Sequence, residues 1–70
     1  MKKYLVIFET TDTGYSAYVP DLVGCIASGR NKEEVEENIY EAIKIHIEGL
    51  IEENLPIPIS KTEAEVFVLN

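Results

Sequence analysis

The sequence predicts a small α+β domain of two layers, with the element order β-β-β-α-β. Three short segments of strand character occupy the first 30 positions, and one long amphipathic helical pattern follows them. The 70-residue chain has room for one domain, and a chain of this length buries only about 60% of its unfolded surface. We therefore expect an antiparallel-type sheet with one amphipathic helix on one face.

The first predicted strand is Lys3 to Thr10, which is dense in aromatic and β-branched residues. Its alternating positions are apolar on both sides, with Tyr4, Val6 and Phe8 on one face and Leu5 and Ile7 on the other. Because one helix covers only one side of a sheet, we expect the other side to be a partner surface.

The second and third predicted strands follow from turn residues. A hairpin turn at Asp12 to Gly14 leads into the strand Tyr15 to Val19. Pro20 ends this strand because proline has no N–H for a ladder bond. The turn Asp21 to Gly24 then leads into the third strand, Cys25 to Arg30.

The helix is predicted to begin after Asn31, which is a good N-cap. Glu34 stands three residues later, where its side chain can reach back in a capping box. Asn54, followed by two prolines, ends the helix. At 100° per residue, one stripe of the helix faces the core and consists of Val35, Ile39, Ala42, Ile43, His46, Ile47 and Leu50. The opposite, charged face consists of Glu37, Glu41, Lys44, Glu48 and Glu52.

The last predicted strand is Glu63 to Leu69, again apolar on much of both faces. Such a small core is usually reinforced by disulfides, a metal or self-association. A lone Cys25 and a lone His46 exclude an internal disulfide and a closed metal site. We therefore expect a homo-dimer or higher homo-oligomer.

The acidic charge is concentrated on the helix. The chain carries a net charge of −7, and residues 31 to 54 hold eight of its thirteen acidic residues but only two of its six basic ones. This balance argues against direct nucleic-acid binding. The N-terminal apolar run ends at Glu9, too early for a signal peptide or a membrane span, and the lone cysteine fits a reducing compartment, so a cytoplasmic protein is expected.

No residue pattern indicates catalysis, a metal or a cofactor. Cys25 lies in a strand and His46 in the apolar helical stripe, where both are expected to be structural. A weaker alternative is a remnant metal-dependent nuclease that uses Glu9, Asp21 and Glu65. Asp21 stands out because it follows Pro20 in a rigid turn, where its side chain either closes the turn or contacts a partner.

One ordered set of residues runs through the second strand, the turn and the helix. It consists of Tyr15, Ala17, Pro20, Asp21, Gly24, Cys25 and Gly29, followed by His46, Glu48, Gly49 and Leu50. With the opening strand YLVIFE and the exit from Pro56 to Pro58, this order resembles the HicB-like antitoxin family of bacterial and archaeal toxin–antitoxin pairs. Where the family commonly has a second proline in the turn, this chain has Val23.

The resemblance implies a single HicB-like domain over residues 1–70, with a degraded ribonuclease H-like fold. It also implies a small RNA-cleaving toxin of HicA type as the partner, neutralised when its active site is covered. Many members continue into a C-terminal DNA-binding module; the chain ends at Asn70, so a short form without that module is expected.

We expect six residues to contact the partner. The helix glutamates steer a basic partner by charge, and the residues at the end of the second strand form a rigid contact. The glutamates that steer the partner are Glu37, Glu41 and Glu48. The residues of the rigid contact are Tyr18, Pro20 and Asp21. The alternative function is a stand-alone dimeric binding or scaffold domain that has no toxin.

Overall fold

Three antiparallel strands and one long helix form the two layers of this computed structural model, which describes residues 2–70. The elements are β1 (Ile7–Thr11), β2 (Gly14–Tyr18), β3 (Ile26–Gly29) and α1 (Lys32–Glu52), and the strands lie in the order β1-β2-β3. The predicted α+β class and the order of the first four elements are confirmed.

The hairpin between β1 and β2 is shorter than predicted at its open end. Ile7 pairs with Tyr18 and Thr11 with Gly14, so residues 3–6 have no ladder partner. The reason is that β2 stops before Pro20, while the backbone N–H of Val19 donates instead to the carbonyl of Cys25 at 3.1 Å.

The turn between β2 and β3 is closed by its own backbone. The Leu22 N–H donates to the Val19 carbonyl, and the Cys25 N–H donates to the Leu22 carbonyl, each at 3.1 Å. Gly24 takes a φ of +80°, which glycine adopts without steric cost. The turn is therefore a rigid corner, and its Leu22 side chain is fully buried.

Both predicted helix ends are confirmed, with one difference in detail. The Glu34 N–H donates to Asn31 Oδ1 at 2.8 Å, as an N-cap requires. The Glu34 carboxylate, however, accepts from the Arg30 N–H at 2.8 Å and from the Arg30 guanidinium at 2.9 Å. Arg30 offers three donors to this carboxylate, its backbone N–H, Nε and Nη2, which explains the departure from the predicted capping box.

At the other end, Asn54 has a φ of 56° in the left-handed region. The Leu55 N–H donates to the Leu50 carbonyl at 2.9 Å and the Asn54 N–H to the Ile51 carbonyl at 3.1 Å. This is a Schellman arrangement, which satisfies the last helical carbonyls.

The core lies under the first half of α1. Its fully buried members are Ala17, Val19, Leu22, Cys25, Val35 and Ile39. Later members of the predicted helical stripe are only partly buried, because α1 is about 32 Å long whereas a five-residue strand spans about 17 Å. The second half of the helix therefore overhangs the sheet.

The predicted last strand is wrong for the isolated chain. Residues 55–70 form no strand, and Val66, Phe67, Val68 and Leu69 are 74–91% exposed. A strand requires a ladder partner, and these residues have none in the single chain. The chain is also less compact than expected: its radius of gyration is 13.6 Å, against about 11 Å for a compact chain of this length.

Gly29 and Gly49 make a matched pair of substitutions. A Cβ on Gly29 would lie 2.6 Å from the Val35 backbone N, whereas a Cβ on Gly49 would meet no atom within 4 Å. We expect Gly29→Ala to lower the free energy of unfolding by about 1–3 kcal/mol through steric overlap. Gly49→Ala should raise it by about 1 kcal/mol through helix propensity. Urea unfolding at equal protein concentration measures both, and equal effects would contradict the steric argument.

Candidate partner-binding surfaces

The sheet face opposite α1 is open and apolar at one end. Ile7, Tyr18 and Ile26 are directly paired across the three strands and form one row on this face. Tyr18 is 40% exposed and Ile26 is 70% exposed. The neighbouring row is polar and consists of Glu9, Ser16 and Ser28. The prediction of an apolar uncovered side is therefore met at this end of the sheet.

The outer face of α1 carries the acidic charge. Glu37, Glu41 and Glu48 are all exposed. Glu41 has a lysine beside it, since Lys44 Nζ lies 3.6 Å from its carboxylate. Glu37 and Glu48 take part in none of the ion pairs within residues 2–70, so their charge is available to a basic partner.

The Asp21 carboxylate binds a distant part of its own chain. It accepts hydrogen bonds from the Lys61 N–H at 3.0 Å, the Thr62 N–H at 3.1 Å and the Thr62 hydroxyl at 2.7 Å. The bond from the Thr62 hydroxyl, followed by that from the Lys61 amide, lowers the pKa of Asp21 below its ordinary value. We call these three bonds the Asp21 clip. It attaches the C-terminal segment to the corner after β2.

The structure does not bring the six predicted contact residues together. Tyr18 lies on the open sheet face, and Glu37, Glu41 and Glu48 lie on the outside of the other layer. Pro20 and Asp21 lie at the end of the sheet between these two surfaces. One flat partner surface cannot cover both layers at once, so the two groups of residues require different roles.

The carboxylates of the nuclease alternative are also separate. Glu9 lies on the open sheet face, Asp21 is engaged in its clip, and Glu65 lies in the exposed C-terminal segment. Across residues 2–70 no three His, Cys, Asp or Glu side chains are grouped to hold a metal ion. Cys25 is buried, and burial raises the pKa of its thiol.

Several exposed apolar residues were not predicted as contact sites. Ile26 extends the open face beside Tyr18, while Tyr40 and Ile51 are 63% and 58% exposed on one flank of α1. The strand alternation that placed Tyr18 also places Ile26, so that signal was present in the sequence. Within residues 2–70 there is also no helix that is both apolar enough and long enough to cross a bilayer.

Comparisons with known proteins agree with this architecture. A family model described as the HicB-like antitoxin of bacterial toxin–antitoxin systems matches residues 4–68. A UPF0150 protein of Synechocystis is 46% identical over 56 residues, covering 79% of this chain and 71% of that protein. Another, from Thermoplasma acidophilum, is 42% identical over 62 residues, covering 87% and 90% respectively.

A solved structure of the HicA3 and HicB3 toxin–antitoxin complex contains a chain of the same fold. It is 32% identical to this chain, with a TM-score of 0.72, and the match covers 86% of this chain and 70% of that one. A 14.9 kDa protein of Haemophilus phage HP1 is 39% identical over 55 residues, and this chain spans 41% of its length.

The fold and its exposed surfaces define a small α+β domain with a partly apolar open sheet face and an acidic helix face. The chain belongs to the HicB-like antitoxin family, as the match over residues 4–68 shows. This membership supports a role in a toxin–antitoxin system and points to a regulatory protein that is not an enzyme.

The Asp21 clip predicts a pH dependence of the C-terminal segment. Because the pKa of Asp21 is lowered in the folded chain, the clip stabilises fully above the unfolded pKa of about 4 and is lost as the pH falls through the folded pKa. Amide NMR signals of Lys61 and Thr62 should report this transition.

Asp21→Ala should speed hydrogen exchange at the same two amides at neutral pH, because they lose their acceptor. Asp12→Ala is the matched control, since Asp12 is an exposed aspartate in the β1–β2 turn. Unchanged exchange at Lys61 and Thr62 in Asp21→Ala would contradict the clip.

Proposed function

We propose that this chain is an antitoxin domain that binds a small RNA-cleaving toxin of HicA type and neutralises it by covering the active site. The observation that carries the proposal is the match to a chain of the HicA3 and HicB3 complex over 86% of this chain. Family membership supports the same role. In this proposal the protein acts in the cytoplasm as a homo-oligomer and does not itself bind nucleic acid.

The charge distribution fits such a partner. A protein that cleaves RNA presents Lys and Arg to the phosphate backbone. The outer face of α1 presents Glu37, Glu41 and Glu48, so the two surfaces attract each other over distance. The same excess of acidic charge, a net −7 for the whole chain, disfavours nucleic acid as a direct ligand.

The acidic face of α1 and the open sheet face have different roles in the proposed binding. The glutamates of α1 accelerate encounter, since exposed charges act mainly on the association rate. The open sheet face supplies Tyr18 and Ile26, which offer the buried apolar area that holds a complex together. Pro20 contributes a rigid edge to this surface, while the carboxylate of Asp21 acts indirectly by fixing the corner.

Co-expression tests the function directly. The adjacent open reading frame should encode a small basic protein that arrests growth alone and is tolerated and co-purified when this chain is present. If the adjacent open reading frame encodes a toxic protein that does not co-purify with this chain, the proposal is overturned. A self-associating chain with no toxic neighbour would favour the scaffold alternative, and metal-dependent cleavage lost in Asp21→Asn would favour the nuclease.

Reversing Glu37, Glu41 and Glu48 to lysine should slow association with the toxin about tenfold or more at low salt and flatten its salt dependence. The fold should persist because the three side chains are exposed. Stopped-flow kinetics measures the rate. The control is Asp12→Lys in the β1–β2 turn, away from α1; an equal loss per reversed charge would show that net charge, not this helix face, does the steering.

Tyr18→Ala should weaken toxin binding by about 1–2 kcal/mol, mostly through faster dissociation, because a central aromatic contact is lost. Tyr40→Ala is the matched control, since Tyr40 is an exposed tyrosine on α1 at 63% exposure. Calorimetric titration compares the two affinities. A larger loss in Tyr40→Ala would assign the contact to the helix layer instead.

A further inference from the structure

We propose that residues 63–69 form a fourth strand on the sheet of a second copy of this chain, beside residues 3–7, which lead into β1 along the free edge of the sheet. The two copies exchange these strands reciprocally, so each sheet gains one. The inference rests on the self-association proposed above and is independent of toxin binding.

Residues 63–69 have the alternating pattern of a strand but pair with no other strand in the single chain. Its side chains alternate between Ala64, Val66 and Val68 on one side and Phe67 and Leu69 on the other. The four apolar residues from Val66 to Leu69 are 74–91% exposed, the largest run of exposed apolar side chains in residues 2–70. The family model reaches residue 68, so this segment is part of the domain that the family shares.

The edge of β1 is the one left free. On the outer side of β3, the Asn38 side-chain amide donates to the Ser28 carbonyl at 2.8 Å. β1 has no such cover on its outer side, and residues 3–6 before it pair with no strand.

Charge sets the direction of the added strand. Lys2 and Lys3 are exposed just before β1, and Glu63 and Glu65 are exposed at the start of the segment. None of the ion pairs within residues 2–70 uses any of these four side chains. Parallel pairing places Lys3 on the same face as Glu63 and Glu65, with Lys2 next to it on the other face, whereas antiparallel pairing places the lysines beside the apolar end.

The same register matches the apolar faces. With Glu63 and Glu65 on the face of Lys3, Phe67 and Leu69 continue along the open face beside Leu5 and Ile7. The other alternating set then falls on the helix side of the sheet. There it joins Tyr4, Val6 and Phe8, which are only partly buried in the single chain. A one-residue slip would lose both matches at once.

A second copy, not the same sheet, is the partner that fits. The Tyr4 hydroxyl donates to the Pro58 carbonyl at 2.6 Å, and the Asp21 clip holds Lys61 and Thr62. The chain is thus fixed up to Thr62, yet every side chain after it is exposed. Each copy therefore carries one projecting strand and one free edge, which a twofold dimer satisfies together.

Disulfide trapping between two variants of the full chain tests the exchange. One copy carries Leu5→Cys or Ile7→Cys and the other carries Phe67→Cys, so a cross-link between them requires the proposed pairing. We expect a product of about twice the 7.9 kDa chain mass under non-reducing conditions, for at least one of the two pairs. The native Cys25 is buried, so its thiol does not compete.

The control mixes Phe67→Cys with Val23→Cys, because Val23 is 91% exposed but lies in the turn after β2. Equal cross-linking in this control would overturn the proposal. So would cross-links that form only inside one chain carrying both Leu5→Cys and Phe67→Cys, since the strand would then pair with its own sheet. Absence of any cross-link in all mixtures would overturn it as well.

Sedimentation velocity provides a second, independent measurement. Val66→Asp should convert the dimer to monomer with unchanged circular dichroism of α1, because Val66 packs only in the partner. Val23→Asp, equally exposed in the single chain, should remain dimeric. A Val66→Asp protein that stays dimeric but loses toxin binding would overturn the exchange and assign the segment to the toxin, leaving the antitoxin function itself intact.

Discussion

The close contact between β3 and the first turn of α1 determines where everything else lies. Gly29 leaves no room for a side chain against the backbone of Val35, and Asn31 caps the helix two residues after that glycine. This contact fixes the helix over β2 and β3. It leaves the outer edge of β1 uncovered, and it directs the glutamates of α1 away from the sheet.

The small size of the sheet has a second consequence. Strands of four or five residues cannot cover a 21-residue helix, so only Val35 and Ile39 of α1 become fully buried. A core of six residues has little stability to spare in a chain of this length. The self-association proposed above would add buried apolar surface that the single chain lacks.

The layered fold presents three separate surfaces to which the two proposals assign different contacts. The open sheet face, the acidic helix face and the free edge of β1 point in different directions. In the two proposals, the toxin and the second copy therefore use different surfaces. The Asp21 clip links these regions mechanically, because it ties the exposed C-terminal segment to the corner beside Tyr18.

Local patterns in the sequence determined the first four elements, the Asn31 cap, the left-handed Asn54 and the apolar end of the open sheet face, since each depends on near neighbours. The turn to Gly24 was equally local. Tertiary structure decided what depends on distant residues: that Asp21 binds residues 61 and 62, that Tyr18 and the helix glutamates lie on opposite layers, and that residues 63–69 find no ladder in their own chain. An alternating apolar pattern indicates that a segment can form a strand, but the strand forms only where a sheet edge is available to pair with it.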